Sequence, residues 1–406
     1  MPVPSALVGL ASLAVLLVAE FAALIAAGRP GPNEVPVFDI EDLQQKHSSL
    51  YRAANKLGVF RLRVKGLTAD TVLNASRVYF SQPDAVKRSA RSASGSSGGF
   101  ERGYIPLAGE SGLRQFVELK EGFCYGREPR AELLATGNAS GVPTCESLLV
   151  KPNAWPTAMD SKGTAEDKDG EASPVGSAWR HVLSAFLEEC ITLTDTLGVA
   201  LSSAMGRDPA LIGALAKGGE DISLMRLFHY LSPEEAPDLA PGVPRTGSSP
   251  HTDWHLLTIV LQDTTGGLQV RRPAAPYDWI DVPAEGGELI VILGDYLAAL
   301  SDGRFVSPVH RVNLPPAPKE RFSLTFFRYP RCAATIPEAN ARRAEERANR
   351  AHRKLRRHEA GKDTFNTLIA TAPEGEGLRK LAARPFGELL VDKWNGVASN
   401  KRPESS

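Results

Sequence analysis

The side chains that most constrain how this chain can fold lie in two short segments far apart in the sequence. His251 and Asp253 flank a single residue in the run 250–255, and His310 lies in the run 307–312. A β-strand directs residues i and i+2 to the same face, so His251 and Asp253 can reach one point, with His310 as a third ligand. Two imidazoles and one carboxylate bind a metal on one side and leave its other side open. The sequence therefore predicts a single-metal site built on β-strands.

A second pair of residues with the same alternation follows further along the chain. Arg321 and Ser323 belong to the run 321–327, which has the composition of a strand. A buried arginine is destabilising unless an anion meets it. The planar guanidinium matches a carboxylate through two parallel hydrogen bonds, and Ser323 adds a donor from the same face. We therefore expect a bound carboxylate ligand; the alternative is a salt bridge from Arg321 to Glu320 or Asp302.

The order of these motifs resembles that of the 2-oxoglutarate and Fe(II)-dependent oxygenases, in particular the isopenicillin N synthase-like branch. The runs 258–270, 279–282 and 287–295 resemble the family's strands between the two metal-ligand motifs. The resemblance implies an α+β fold, in which N-terminal and C-terminal helices buttress a double-stranded β-helix (jelly roll). The strand-rich composition of 222–330 is consistent with an antiparallel jelly roll. An apolar stripe near helical period over 177–201 predicts a long supporting helix.

The resemblance also implies cofactors and roles for individual residues. Fe(II), 2-oxoglutarate and O2 are expected, with ascorbate as an accessory reductant. The residues concerned are His251, Asp253 and His310 as catalytic Fe(II) ligands, Arg321, Ser323 and Tyr230 at 2-oxoglutarate, and Phe327, Tyr104 and Phe123 at the substrate. The family usually has Asn two residues before the tyrosine. This chain has Phe228 there and departs from the family pattern.

The reaction expected from the resemblance is oxidation of a small organic metabolite, by hydroxylation or desaturation, with release of succinate and CO2. In such an enzyme the protein positions and shields the cofactor chemistry. Three alternatives share part of the pattern. They are an oxidase of the same fold that does not use 2-oxoglutarate, a zinc hydrolase with the same three ligands, and a non-catalytic barrel used for binding. Complete metal and anion motifs favour an enzyme.

His255 raises a separate question, because it stands four residues after His251 where the family usually carries a small residue. A straight strand would carry it roughly 13 Å from His251. We therefore expect His255 at the rim of the pocket and not among the metal ligands. The alternative is an imidazole that crowds the metal.

Composition limits the partners of the chain. Its 406 residues include 47 Lys and Arg and 47 Asp and Glu, so no overall basic field favours nucleic acid. We expect a small-molecule substrate, no nucleic-acid partner and a monomer. Cys124, Cys145, Cys190 and Cys332 show no Cys-x-x-Cys pair and no paired spacing with histidine. They are therefore expected to be ordinary buried or free thiols.

The N-terminal segment leaves the compartment open. Residues 6–19 are apolar or small, and 21–28 continue the run after Glu20. The length allows a membrane span, whereas Glu20 and the lack of Lys or Arg before the run weaken a signal-peptide or anchor interpretation. Two interpretations follow. Residues 6–27 associate with a membrane, as signal or anchor of a secretory-pathway protein, or they pack as a helix and the protein is cytoplasmic, as the family resemblance implies.

The predicted organisation has four parts. Residues 1–28 form the hydrophobic segment, 34–220 an N-terminal oxygenase region with flexible insertions, 221–332 the Fe(II)/2-oxoglutarate jelly-roll domain, and 333–406 a C-terminal helical extension. The basic run 342–357 is interpreted as a solvated helix, with an anion-binding surface as the alternative.

Overall fold

The computed structural model describes residues 34–90, 101–109, 116–130, 145–156, 175–234, 236–237, 242–274, 277–337, 340, 343–344, 346–347 and 384–399. Within these ranges the strands form three sheets. In chain order the strands are β1 (Val37–Asp39), β2 (Val59–Arg63), β3 (Gly103–Ile105), β4 (Val117–Glu118), β5 (Lys120–Gly126), β6 (Leu224–Tyr230), β7 (Arg245–Thr246), β8 (Ser248–His251), β9 (Leu257–Gln262), β10 (Leu268–Arg271), β11 (Trp279–Asp281), β12 (Leu289–Leu293), β13 (His310–Val312) and β14 (Arg321–Arg328).

Two of the sheets are large. One has eight strands in the order β1-β2-β12-β9-β14-β6-β5-β3, and the other has four in the order β11-β10-β13-β8. Strand β1 pairs with β2 in parallel, and the other neighbouring strands in these two sheets are antiparallel. A short parallel pair, β4 with β7, makes the third sheet. The chain thus combines helices with a large, mainly antiparallel sheet.

The two larger sheets share an apolar cluster. The large sheet contributes Val260 of β9, Ile290 of β12 and Tyr230 of β6, and the small sheet contributes Val270 of β10 and Val312 of β13. Side chains alternate between the two sides of a strand, so these residues define one side of the large sheet, which we call the inner face. Its β-branched residues suit a pleated, buried surface. The inner face and the small sheet therefore pack against each other.

Helices cover the other side of the large sheet, which we call the outer face. In chain order the helices are α1 (His47–Lys56), α2 (Ala69–Phe80), α3 (Asp84–Ser89), α4 (Cys145–Leu149), α5 (Val175–Ala204), α6 (Leu211–Ala216), α7 (Asp295–Leu300) and α8 (Phe386–Ser399), with a 3-10 turn at Ile40–Asp42. Helix α5 corresponds to the long helix predicted over 177–201. Its Trp179 packs with Tyr79 of α2 and Phe123 of β5 in the outer core.

A disulfide joins two distant parts of the chain. Cys145 of α4 is bonded to Cys332, which follows β14, across a sequence separation of 187 residues. The expectation that all cysteines are unpaired thiols is therefore wrong for these two, whereas Cys124 and Cys190 are free and buried. The amide of Gly387, near the start of α8, donates to the Cys332 carbonyl. The disulfide thus also marks where the C-terminal helix docks.

Several sequence predictions concern parts of the chain outside the described residues. These parts include residues 1–28 and most of 342–357, and the predictions for them stay predictions, as does the division into four regions. Among the helices that the structure describes, none combines the length and the apolar character needed to cross a membrane.

Candidate metal centre

The predicted metal ligands meet at one point between two neighbouring strands. His251 of β8 stands directly opposite His310 of β13 in the antiparallel register, and their ring centroids are 4.3 Å apart. Asp253 follows β8 by two residues, and its Oδ1 lies 3.8 Å from Nε2 of each histidine. One ligand atom from each residue lies within 4.8 Å of the other two. The structure therefore brings together the three residues that the sequence singled out.

Backbone carbonyls fix the orientation of both imidazoles. His251 Nδ1 lies 2.7 Å from the carbonyl oxygen of Ser249, and His310 Nδ1 lies 3.1 Å from that of Pro308. A carbonyl oxygen only accepts hydrogen bonds, so each Nδ1 carries a proton and donates it. The lone pair is then on Nε2 in both rings, on the side of Asp253. This arrangement is typical of histidines that bind metals.

Electrostatics keep these groups in the protonation states that a metal needs. Burial raises the pKa of Asp253, but the imidazoles of His310, His255 and His251 and the Thr258 hydroxyl, which donates to Oδ2, together hold it below its ordinary value. Burial, and then the charge on His251, lowers the pKa of His310 to about 4. At neutral pH the site therefore offers a carboxylate and a neutral His310 imidazole, as metal binding requires.

The predicted anion site lies at the start of β14. Arg321 is 1 % exposed, and it donates to Gly266 O, to Gln262 Oε1 at 2.9 Å and to Ser323 Oγ at 3.2 Å. Its guanidinium carbon lies 4.5 Å from the ring centroid of Tyr230, which stands opposite Arg321 in register. The sequence motifs do not single out Gln262. It joins the site because it stands opposite Ser323 on β9.

The alternative partners considered for Arg321 are engaged elsewhere. Glu320 lies 3.4 Å from Nε2 of His229, and Asp302 pairs with Arg343 at 2.9 Å. Within the described part of the chain, Arg321 forms no salt bridge with a carboxylate. Its buried positive charge is thus met only by uncharged groups, which favours an anionic ligand.

The residues predicted to contact substrate separate onto the two faces of the large sheet. Phe327 shares the inner face with Arg321, because both are odd-numbered residues of β14. Phe123 is fully buried in the outer core, with its ring centroid 5.6 Å from that of Trp179. Tyr104 stands opposite Phe123 in register, and its hydroxyl donates to Glu121 at 2.5 Å. The expectation that Tyr104 and Phe123 line the substrate mouth is therefore corrected: both lie on the face turned away from the metal ligands.

His255 does not lie at a solvent-exposed rim. The strand ends at His251 and the chain turns, so the straight-strand expectation fails, and His255 is 3 % exposed. Its ring lies 5.1 Å from that of Phe327 and 5.2 Å from that of Tyr329. Its Nδ1 finds no hydrogen-bond partner among the described residues, and burial lowers its pKa to about 4. It lies outside the group of converging ligand atoms.

Comparison with known proteins agrees with this geometry. The 2OG-Fe(II) oxygenase superfamily matches residues 222–330. The 2-oxoglutarate-dependent dioxygenase citB of Monascus ruber is 29% identical over 290 residues, covering 68% of this chain and 75% of that protein. Kihadalactone A synthase LFS of Citrus sinensis is 26% identical over 324 residues, covering 73% and 83%. A full-length Neurospora crassa protein, solved in complex with alpha-KG and thymine, has the same fold, with a TM-score of 0.56 at 21% identity over 77% of this chain and 92% of that one.

These similarities, together with the site, define the class of protein. The chain belongs to the 2-oxoglutarate–Fe(II) oxygenase superfamily, which confirms the resemblance seen in its motifs. Within that superfamily it is an oxidoreductase of the dioxygenase type, with Fe(II) as cofactor and 2-oxoglutarate as cosubstrate.

Proposed function

We propose that this dioxygenase oxidises a small organic metabolite, by hydroxylation or desaturation, and releases succinate and CO2. We also infer that the two facing sheets are the halves of a double-stranded β-helix, or jelly roll. The residues proposed for the reaction are His251, Asp253 and His310 as Fe(II) ligands, Arg321, Ser323 and Tyr230 at the far carboxylate of 2-oxoglutarate, and Phe327 at the substrate.

The proposal rests on the position of the metal-ligand residues and Arg321, which face the same space between the two sheets. His310 stands opposite Val270 in register, and Val270 belongs to the apolar cluster between the sheets. Directly opposite residues share a side, so the imidazoles face that space. Arg321 stands opposite Tyr230, which belongs to the same cluster. A metal-binding group and a buried arginine without a described carboxylate partner thus face the same interior, as an enzyme that binds a metal and a carboxylate together requires.

The residues of the chain have distinct tasks in this scheme. When bound, Fe(II) with 2-oxoglutarate and dioxygen supplies the oxidant that removes hydrogen from a substrate carbon. Asp253 balances part of the metal charge, and the fixed imidazoles set the ligand geometry. Arg321 and Ser323 hold the far carboxylate, which limits how 2-oxoglutarate can orient. The apolar cluster around Val260 and Val312 excludes water from the space where oxidation takes place.

Anaerobic titration of the apoprotein with Fe(II) and 2-oxoglutarate tests the proposal through the weak visible charge-transfer band of the chelated metal. We expect the band in the wild type. In Arg321→Met, half-saturation should need at least about 30-fold more 2-oxoglutarate, because one partner of a buried charge pair is lost. An equal titration in both proteins would remove Arg321 from the cosubstrate site.

Arg328→Met provides a matched control on the same strand. Arg328 is also buried, at 3 % exposed against 1 % for Arg321, but lies on the outer face, where it pairs with Asp195 at 2.9 Å. We expect an unchanged 2-oxoglutarate titration for this variant. A loss equal to that of Arg321→Met would show that any buried arginine of β14 disturbs the site indirectly.

A further inference from the structure

The buried arginines of this protein differ in how their charge is met. Arg61 pairs with Glu288 at 2.7 Å, and Arg328 pairs with Asp195. Arg321 has no described carboxylate partner, and the proposed function supplies one from 2-oxoglutarate. Arg102 forms no salt bridge with a described carboxylate either; only the more distant Glu128 acts on its charge, and the proposed function assigns it no ligand.

Arg102 is among the largest fully enclosed side chains in the described structure. It is 2 % exposed, and its Nη2 donates to the carbonyl oxygen of Leu149 at 2.9 Å. Nε and Nη1 have no hydrogen-bond partner within the described residues. Burial lowers the pKa of Arg102, and the charge of Cys124, a side-chain hydrogen bond to the Cys124 sulfur and the charges of Tyr329 and Glu128 oppose this effect only in part. Apart from the weakly accepting sulfur of Cys124, these two donors of a buried cation point at no acceptor in the described part of the protein, which is costly unless a ligand meets them.

The guanidinium of Arg102 lies on the inner face of the large sheet. Gly126 ends β5, and a Cβ placed on it would lie 2.5 Å from Nη1 of Arg102. In β5, Lys120 stands opposite Tyr230, which stands opposite Arg321. The even-numbered residues of β5, Gly126 included, therefore point to the same side as Arg321. The missing side chain of Gly126 leaves room on that side for the Arg102 guanidinium.

Aromatic residues connect Arg102 to the metal ligands. Burial raises the pKa of the Tyr329 hydroxyl, and the charges that act on it include those of Arg226, Asp253 and Arg102. The Tyr329 ring contacts His255, which contacts Phe327, the one predicted substrate residue that lies on the inner face. Arg102 thus belongs to the group of side chains on the substrate side of the metal centre.

Arg102 is too far from Arg321 to share its ligand. Arg321 lies beside Lys120 and Tyr230, at the start of β5, whereas Arg102 lies beside Gly126, six residues further along. Six residues of extended strand span about 20 Å. The five-carbon chain of 2-oxoglutarate is much shorter than this, so one molecule cannot contact both arginines.

The walls around Arg102 are fixed by a covalent bond. The Leu149 carbonyl that accepts from Arg102 ends α4, and Cys145 at the start of α4 is bonded to Cys332. Cys332 follows Tyr329 by three residues. The disulfide therefore ties together the two segments that flank the guanidinium.

We propose that Arg102 binds a carboxylate group of the substrate, so that this dioxygenase acts on a small carboxylic acid. The inference rests on the proposed function for the identity of the ligand as substrate. The two unpaired donors, the glycine that leaves space for them and the aromatic residues leading to the metal ligands support it. A carboxylate offers the two acceptors that a guanidinium fork matches.

The test uses the protein loaded anaerobically with Fe(II) and 2-oxoglutarate. Isothermal titration calorimetry measures the binding of hexanoate, benzoate, phenylacetate and 3-phenylpropionate, each beside its primary amide, and of inorganic phosphate. The amide keeps the shape and removes the charge. We expect the wild type to bind at least one acid 10-fold or more tightly than its amide, and Arg102→Met to lose that preference, with Arg328→Met as the matched control that keeps it.

Three results would overturn the proposal. They are a wild type that binds no acid of the panel more tightly than its amide, an Arg102→Met variant that keeps the preference, and tighter binding of phosphate than of every acid. The visible band of Fe(II) with 2-oxoglutarate is recorded in the same samples. Its absence from the wild type would refute the proposed function, whereas an intact band without acid preference would refute only the role of Arg102.

A purely structural role of Arg102 makes a different prediction for the ligand-free protein. If the side chain served mainly to support the fold, Arg102→Met would lower the melting temperature. We expect the melting temperature to stay the same or rise, because the variant removes a buried charge that lacks an anionic partner among the described residues. A clear decrease together with unchanged acid binding would establish the structural role instead.

Discussion

The large sheet carries two kinds of buried charge: Glu121 on the outer face, which is met by several groups of the chain, and two arginines on the inner face, Arg321 and Arg102, which form no described salt bridge. On the outer face, the carboxylate of Glu121 accepts from Lys87 Nζ at 2.9 Å, from the Tyr104 hydroxyl at 2.5 Å and from His229 Nδ1 at 2.9 Å. On the inner face, Arg61 pairs with Glu288 and Lys120 with Glu118, each at 2.7 Å. Arg321 and Arg102 on the same face form no salt bridge with a carboxylate of the described residues.

This difference separates groups that stabilise the protein from groups that bind ligands. A buried charge whose partners all belong to the chain contributes to folding, since removal of one partner leaves the others unpaired. A buried charge without such partners lowers stability until a ligand arrives. Substitutions of these two kinds of group should therefore affect different measurements.

The largest effect is expected for a metal ligand. Asp253→Ala removes the only carboxylate of the converging group, and Fe(II) affinity should fall by at least about a hundredfold, more than substitutions around metal ligands usually cause. Anaerobic calorimetry with Fe(II) measures it. The melting temperature of the metal-free protein should change little.

Asp281→Ala is the control for this prediction. Asp281 is exposed and lies on β11 of the small sheet, so the variant should bind Fe(II) like the wild type. Equal affinities in all three proteins would remove Asp253 from the site.

The outer face should show the opposite behaviour. Glu121→Gln leaves Lys87 without its buried carboxylate, and we expect the free energy of unfolding to fall by about 3 kcal/mol. Fe(II) affinity, measured on the folded protein, should be unchanged. Denaturant unfolding gives the first quantity. Asp42→Asn, which breaks the exposed pair with Lys46, should cost at most about 1 kcal/mol. A Glu121 variant with normal stability but weakened metal binding would show that Glu121 serves the metal site and not the stability of the fold.

The sequence was sufficient for the parts of this arrangement that depend on local alternation. His251 with Asp253, and Arg321 with Ser323, could be placed on common faces because a strand repeats every two residues. Strand β5 gave no such guide, since every one of its residues is buried, and its apolar residues therefore do not reveal which side faces the metal. Tyr104 and Phe123 were assigned to the substrate by the family resemblance alone, and the uniform burial of β5 offered no independent check of that assignment.

Long-range contacts were also beyond prediction from motifs. Nothing in the spacing of Cys145 and Cys332 indicates a bond across 187 residues. The turn that buries His255 begins where β8 ends, and no glycine or proline stands between Asp253 and His255 to mark it. Arg102 appears in the sequence as an ordinary surface-type residue. Its burial results from the meeting of β3, β5 and α4, which only the fold reveals.

The smallest expected effect is a dependence of protein stability on pH, and it arises from Glu121 on the outer face. Burial raises the pKa of Glu121, but the hydrogen bonds from His229, Tyr104 and Lys87 outweigh it and hold the pKa below the ordinary value of 4.5. The unfolded chain therefore binds a proton at a higher pH than the folded one. The stability contributed by Glu121 is fully present above pH 4.5 and is lost as the pH falls through the lower folded-state pKa.

Denaturant unfolding as a function of pH measures this contribution. Between neutral pH and 4.5 the wild type and Glu121→Gln should differ by a constant amount. Below pH 4.5 the wild type should lose stability faster, by at most about 1.4 kcal/mol per pH unit for one proton, so that the two curves approach each other. If the unfolding free energies of the wild type and Glu121→Gln differ by the same amount throughout the acid range, Glu121 has the same pKa in the folded and the unfolded chain. The hydrogen bonds that meet its charge would then not hold in solution, and the contrast between Glu121 and the two arginines of the inner face would fail at its best-defined point.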